Sequence, residues 1–119
     1  VSYNELCKQA SGAHKNIEVA IVLSGGGLAA SHIRSGGPVP DEEEFTSMIL
    51  QLETVIRTTK ANEDKFGKLG FISVHYEFID GLFFPINEQD TLIVGVVHPY
   101  DHDALVSKIS SLMPRRSVV

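Results

Sequence analysis

Three consecutive glycines, Gly25-Gly26-Gly27, stand between the apolar runs 17–23 and 28–33. Glycine-rich loops of this kind can cradle phosphate or supply an oxyanion hole. A Walker loop must end in Gly-Lys-Ser/Thr so that lysine and hydroxyl reach phosphate and magnesium; here Gly27 is followed by Leu28-Ala29-Ala30. A dinucleotide fingerprint needs its glycine turn to open a helix, and only a short apolar stretch precedes the next loop. A lipase-type glycine triplet would need a Gly-x-Ser-x-Gly elbow for its nucleophile, and the chain has none. The remaining reading is mechanical: glycine is the default residue where a hairpin turn needs positive φ. Gly25, Gly26 and Gly27 are therefore expected to turn the chain.

Five histidines, His14, His32, His75, His98 and His102, raise the question of a metal. His98 and His102 have i, i+4 spacing, but Pro99 and Tyr100 place His98 at a strand end rather than on the same helix. A shared zinc would need at least one more ligand, such as Asp101 or Asp103. Solvated loop histidines are the simpler account, and neither a metal nor a cofactor is expected. Cys7 lies among apolar helical positions and reads as a small buried hydrophobe. Ser24 has no His and Asp at a recognisable motif spacing. The acidic run 41–44 is accounted for by helix capping. No catalytic residue emerges, so the chain reads as non-enzymatic; the catalytic alternative is a small hydrolase or metal enzyme using His98 or His102 with the neighbouring aspartates.

The elements that must position these residues come from a chain of 119 residues, the size of one domain spanning 1–119, with 43% hydrophobic and 21% charged residues. A net charge of −5 disfavours nucleic acid, whose phosphates demand a cationic footprint, and the basic pair Arg115-Arg116 is isolated. No apolar run approaches the ~20 residues of a membrane span. One cysteine forms no internal disulfide, which fits a cytoplasmic location.

Tyr3, Leu6, Cys7, Ala10 and Ala13 recur at helical spacing and predict a short helix over 3–12, closed by Gly12. Strands follow at 17–23 and 28–33, then a loop at 34–41. Asp41 with Glu44 forms a capping-box pattern opening a long helix. Phe45, Met48, Ile49, Leu52, Val55 and Ile56 give this helix, extending to about Ala61, one apolar face. Over 72–78 the period changes to two, with Ile72, Val74, Tyr76 and Phe78 alternating with Ser73, His75 and Glu77. Asp80-Gly81 reads as a hairpin turn, with a strand at 82–86 in which Pro85 signals an edge or bulge. A turn at 87–90, a buried strand at 92–97 and a final helix carrying Leu105, Ile109 and Leu112 complete the order, stopped by Pro114. The expected class is α+β: a mainly antiparallel five-stranded meander with helices on its faces, in the order α-β-β-α-β-β-β-α. The core spans about 4–113, and 114–119 forms a loose tail.

One face of the long helix departs from the ordinary. Ser47, Leu50, Gln51, Thr54, Thr58 and Ala61 form a second stripe opposite the core stripe. A solvated face should carry charge; this one has none, contains a leucine and is otherwise mostly small. Small residues let another helix approach closely, most simply across a two-fold axis.

The whole pattern resembles the roadblock family of small domains, over about residues 4–113. The segment "IVLSGGGLAAS" is similar to that family's first strand pair, with a Gly-containing turn before a Leu-Ala stretch. "FIDGLFFPINEQDTLIVGVV" is similar to its later strands. The loop at 34–41 departs from the pattern, being longer and richer in Gly and Pro. The resemblance implies a homodimer, or a heterodimer with a paralogous subunit, in which the middle helices pack together and the third strands pair edge to edge. That would put Ser47, Leu50, Gln51, Thr54, Thr58 and Ala61 in the interface, with Ser73, His75 and Glu77 beside them. It also implies a non-enzymatic platform that scaffolds or regulates a small Ras-like GTPase. Arg34 and Arg57 are candidates for neutralising charge during GTP hydrolysis only because they are present. The alternative from another class is a small-molecule sensory domain of profilin, longin or PAS type, which would need polar groups converging inside the core.

Overall fold

The computed structural model of the chain describes residues 2–34 and 41–113. The expected loose tail at 114–119, the stop at Pro114 and most of the loop at 34–41 lie outside these residues. Among them the order is α1 (Tyr3–Ser11), β1 (Ile17–Ser24), β2 (Gly27–Ile33), α2 (Glu42–Lys60), α3 (Glu63–Phe66), β3 (Ile72–His75), β4 (Ile79–Pro85), β5 (Asp90–Val97) and α4 (His102–Ser110). The α+β class and the five antiparallel strands agree with the expectation.

The sheet is not a plain meander. Its strand order is β2-β1-β5-β4-β3, because β5 pairs with β1 and joins the two hairpins. This leaves β2 and β3 as opposite edges. Both faces are covered. Leu6, Cys7 and Ala10 of α1 and Leu105 and Ile109 of α4 pack with Val22, Leu82, Phe84, Val94 and Val96 on one face. Ile49 and Ile56 of α2 pack with Ile21, Leu23, Phe83 and Ile93 on the other. Burying a large aliphatic or aromatic side chain of this kind is worth about 1.5–3 kcal/mol.

The helix starts are set by local chemistry. The Asp41 carboxylate accepts the Glu44 N–H at 2.8 Å and the Asp101 carboxylate accepts the Ala104 N–H at 3.1 Å, each satisfying a donor that the first helical turn leaves free. Just past the end of the long helix lies the short α3, which periodicity alone did not signal. Two residues assigned to the core face of the long helix are exposed, Met48 at 43% and Val55 at 37%. The buried stripe is narrower, carried by Ile49 and Ile56 with Phe45 and Leu52 partly covered, because a single helix lying on a sheet presents only part of its circumference to it.

The first hairpin turns at Gly25 and Gly26, with φ of 50° and 99°, and Gly27 already pairs with Ser24 as the first residue of β2. Two of the three glycines therefore do the turning. The second hairpin differs from expectation. Asp80 and Gly81 lie inside β4, opposite His75 and Val74, and the turn is Glu77-Phe78, closed by the Tyr76 N–H donating to the Ile79 carbonyl at 3.1 Å. Gly81 is thus a strand residue rather than a turn glycine. The predicted strand over 72–78 stops at His75, and Tyr76 and Phe78 stand 67% and 77% exposed rather than on a buried face. Tertiary contacts of Asp80, described below, outweigh the turn preference of the Asp-Gly pair. Pro85 ends β4 opposite Thr91, beyond the start of β3, where no neighbouring strand needs its missing N–H.

Candidate functional site

Ser47, Leu50, Gln51, Thr54, Thr58 and Ala61 are all exposed along α2, with Leu50 at 60%. The threonine hydroxyls do not reach outward. Thr54 Oγ1 donates to the Leu50 carbonyl at 3.0 Å, and Thr58 Oγ1 to the Thr54 carbonyl at 2.8 Å. A threonine bonded back onto its own helix has its polar group satisfied and leaves its methyl toward solvent. With the exposed Met48 and Val55, the face is more apolar than its sequence suggests.

Beside it lies the open edge of β3. The Tyr76–Ile79 bond sets the parity of the β3–β4 ladder. In an antiparallel pair, bonded and non-bonded residue pairs alternate. Ile72 and Val74 therefore bond to β4, while the backbone groups of Ser73 and His75 point away from the sheet. Their side chains lie on the α4 side. Ile72 and Val74 pack on the α2 side. Glu77 is exposed in the turn rather than on the strand.

Behind this edge is a polar cluster. Asp80, 3% exposed, accepts from His75 Nδ1 at 2.8 Å, His98 Nε2 at 2.9 Å and the Tyr100 hydroxyl. Burial pushes the Asp80 carboxyl up, but the bonds from Tyr100, His98 and His75 outweigh it and hold it below the usual carboxylate range. Burial, then Asp80, raises Tyr100. Ser73 Oγ lies 2.8 Å from His75 Nε2 and 3.0 Å from His102 Nε2. Sequence reading missed Asp80, whose partners His98 and Tyr100 lie far along the chain. It did place Ser73 and His75 on one strand face, the only local signal available. His98 and His102 share no ligand; each enters the cluster through a different residue. Ser73, His75 and Asp80 follow the bonding order of a serine triad.

A second buried carboxylate, Asp90, accepts from the Ser24 and Tyr3 hydroxyls and from Asn87 Nδ2 at 3.0 Å. The Ser24, Tyr3 and Asn87 hydrogen bonds hold its carboxyl low. Ser24 is thus a tie between β1 and β5. Gly25 and Gly26 border an open groove of about 910 Å³ that Arg57 and Lys60 also line. Lys60 Nζ already donates to the carbonyls of Asn87 and Glu88, at 2.9 and 3.1 Å. Glu53, Glu63 and Glu88 line the same groove, and their negative charge opposes phosphate. Arg34 donates to the His14 carbonyl at 3.3 Å, and Arg57 is exposed. Among the described residues, no group of three or more His, Cys, Asp or Glu is placed to hold a metal, and no helix is long and apolar enough to cross a membrane.

The Roadblock/LC7 domain structure from Streptomyces avermitilis superposes on this chain with a TM-score of 0.73, covering 94% of this chain and 92% of that one. The fold is that of the Roadblock/LC7 domain. Myxococcus xanthus MglB matches with a TM-score of 0.74 over 92% of this chain and 87% of that one. An MglB structure with a tetrameric arrangement matches with a TM-score of 0.68 over 91% and 76%. Identities to these three are 14%, 12% and 13%, so the roadblock likeness is one of fold. No protein-family model matches the sequence, and no curated protein matches it.

Proposed function

We propose that the chain is a single-domain, non-enzymatic, cytoplasmic interaction module that self-associates, or pairs with a paralogous subunit, and scaffolds or regulates a small Ras-like GTPase. The observation that carries the reading is the uncharged α2 face, with exposed Leu50 and inward-bonded Thr54 and Thr58, beside the β3 edge where Ser73 and His75 present unpaired backbone groups. An uncovered helix face of this kind accepts a second helix, and an open edge accepts a second strand. The tetrameric arrangement of an MglB structure of this fold supports self-association. In the proposed dimer Ser47, Leu50, Gln51, Thr54, Thr58 and Ala61 meet their symmetry mates, and the β3 strands continue one sheet, with Glu77 at the rim. The GTPase assignment draws on the roadblock resemblance of the sequence.

Light scattering over a dilution series tests self-association, with an expected mass twice the 13.0 kDa of one chain. Leu50→Glu places a charge in the helix contact, and Ser73→Pro blocks the outward N–H of the edge without breaking the β4 ladder. Both are expected to yield monomer. A wild-type chain that stays monomeric at high concentration overturns the dimer. Binding of purified Ras-like GTPases, loaded with GDP or a non-hydrolysable GTP analogue, tests the second half. Absence of nucleotide-dependent binding removes the GTPase and leaves the dimer standing.

A further inference from the structure

We propose that Ser73 is an activated nucleophile on the α4 side of β3, with His75 as its base, and that it accepts the acyl group of an activated donor such as an aryl ester or a thioester. The proton positions follow from the acceptors. His75 Nδ1 stands 2.8 Å from Asp80 Oδ2, and His102 Nδ1 stands 3.2 Å from Asp103 Oδ1. An ionised carboxylate only accepts hydrogen bonds, so each neutral ring carries its proton on Nδ1 and leaves Nε2 as a lone pair. Ser73 Oγ lies 2.8 Å from His75 Nε2 and 3.0 Å from His102 Nε2. Its single hydrogen therefore points at a base, with the shorter contact to His75.

This tautomer is the one a general base needs. Asp80 is 3% exposed and also accepts from His98 Nε2 at 2.9 Å and from the Tyr100 hydroxyl. Those bonds keep the carboxylate in place, where it orients His75 and steadies the imidazolium that forms when the ring takes a proton. Strand register supplies the rest. Asp80 faces His75 across the β3–β4 ladder, and Ser73 and His75, two residues apart, share one face of β3. Groups carried on paired strands hold their geometry better than groups on loops.

The transfer balances with the donor alone. Ser73 Oγ attacks the acyl carbon as its proton passes to His75 Nε2. The bond from Oγ to carbon forms, and the bond from that carbon to the phenoxide or thiolate breaks. The leaving group departs with the electron pair and takes the proton from His75. The His75 side chain is 56% exposed, so a donor reaches the pair from solvent. The Ser73 side chain faces α4 while the free backbone groups of β3 point outward along the sheet, so acylation does not depend on self-association. One group is transferred per chain, which makes the module a target of modification rather than a catalyst.

Diisopropyl fluorophosphate tests this on the full chain. A serine oxygen attacks its phosphorus with loss of fluoride, and the adduct is stable. Peptide mapping by mass spectrometry is expected to place one adduct on Ser73. The labelling rate should rise with pH as the His75 ring becomes neutral. It should fall about a hundredfold in His75→Gln, tenfold or more in Asp80→Asn, and stay unchanged in Ser31→Ala. His75→Gln, at an exposed position, keeps the test decisive if Asp80→Asn misfolds. The proposal is overturned by the absence of a Ser73 adduct at millimolar probe, by labelling of the urea-unfolded chain at the native rate, or by an unchanged rate in folded His75→Gln.

Discussion

Asp80 stands directly opposite His75 in the β3–β4 ladder, with His75 Nδ1 2.8 Å from the Asp80 carboxylate. The pair is of the non-bonded type, whose side chains approach most closely. One buried acceptor thereby ties the edge strand to the loop that carries His98 and Tyr100.

The first consequence is acid sensitivity. Hydrogen bonds hold the Asp80 and Asp90 carboxyls below their ordinary value in the folded chain, against ~3.9 when unfolded. A group lowered by folding stabilises above its unfolded pKa, and that contribution disappears as pH falls through the folded value. Thermal denaturation should therefore show Tm falling from about pH 5 toward pH 3. Asp80→Asn should lose about 1–3 kcal/mol at pH 7 and show a shallower acid slope.

The glycine turn makes a positional prediction. Gly26 has φ of 99°, a region in which a side chain is strained, so Gly26→Val should destabilise by about 1–2 kcal/mol. Gly27 lies in β2 with open space around it, and Gly27→Val should cost less than half as much. Urea midpoints of the two variants decide this. Equal losses would count against the two-glycine turn.

Gly95 answers to packing instead. A Cβ there would stand 2.8 Å from Val19 Cγ1 and 3.3 Å from Ile79 Cδ1. Gly95→Ala should cost about 1–3 kcal/mol through overpacking. Val19→Ala in the same chain should recover part of that loss, which a double-mutant cycle on urea unfolding would read as coupling.

Burial raises the Cys7 thiol to about 11, and the side chain is fully buried. Its reaction with a disulfide reagent at pH 8 should follow opening of the fold and accelerate on adding urea, because only the thiolate attacks.

Local chemistry made much of the fold legible. The Asp41 cap, the glycine turn and the apolar faces of the first and last helices act between residues a few positions apart, so composition and spacing sufficed to place them. The stripe from Ser47 to Ala61 was equally readable, because absence of charge on a helix face is a property of the sequence. Tertiary structure decided what depends on distant partners. Asp80-Gly81 has the local chemistry of a turn, yet His75, His98 and Tyr100 converge on Asp80 and draw it into β4. Met48 and Val55 fit the helical period of the core, but a helix on one sheet covers only part of its circumference. The pairing of β5 with β1, which makes β3 an edge, joins strands more than 60 residues apart. Periodicity shows which face of a strand is buried; the partner along its edge is set by the packing of the whole sheet.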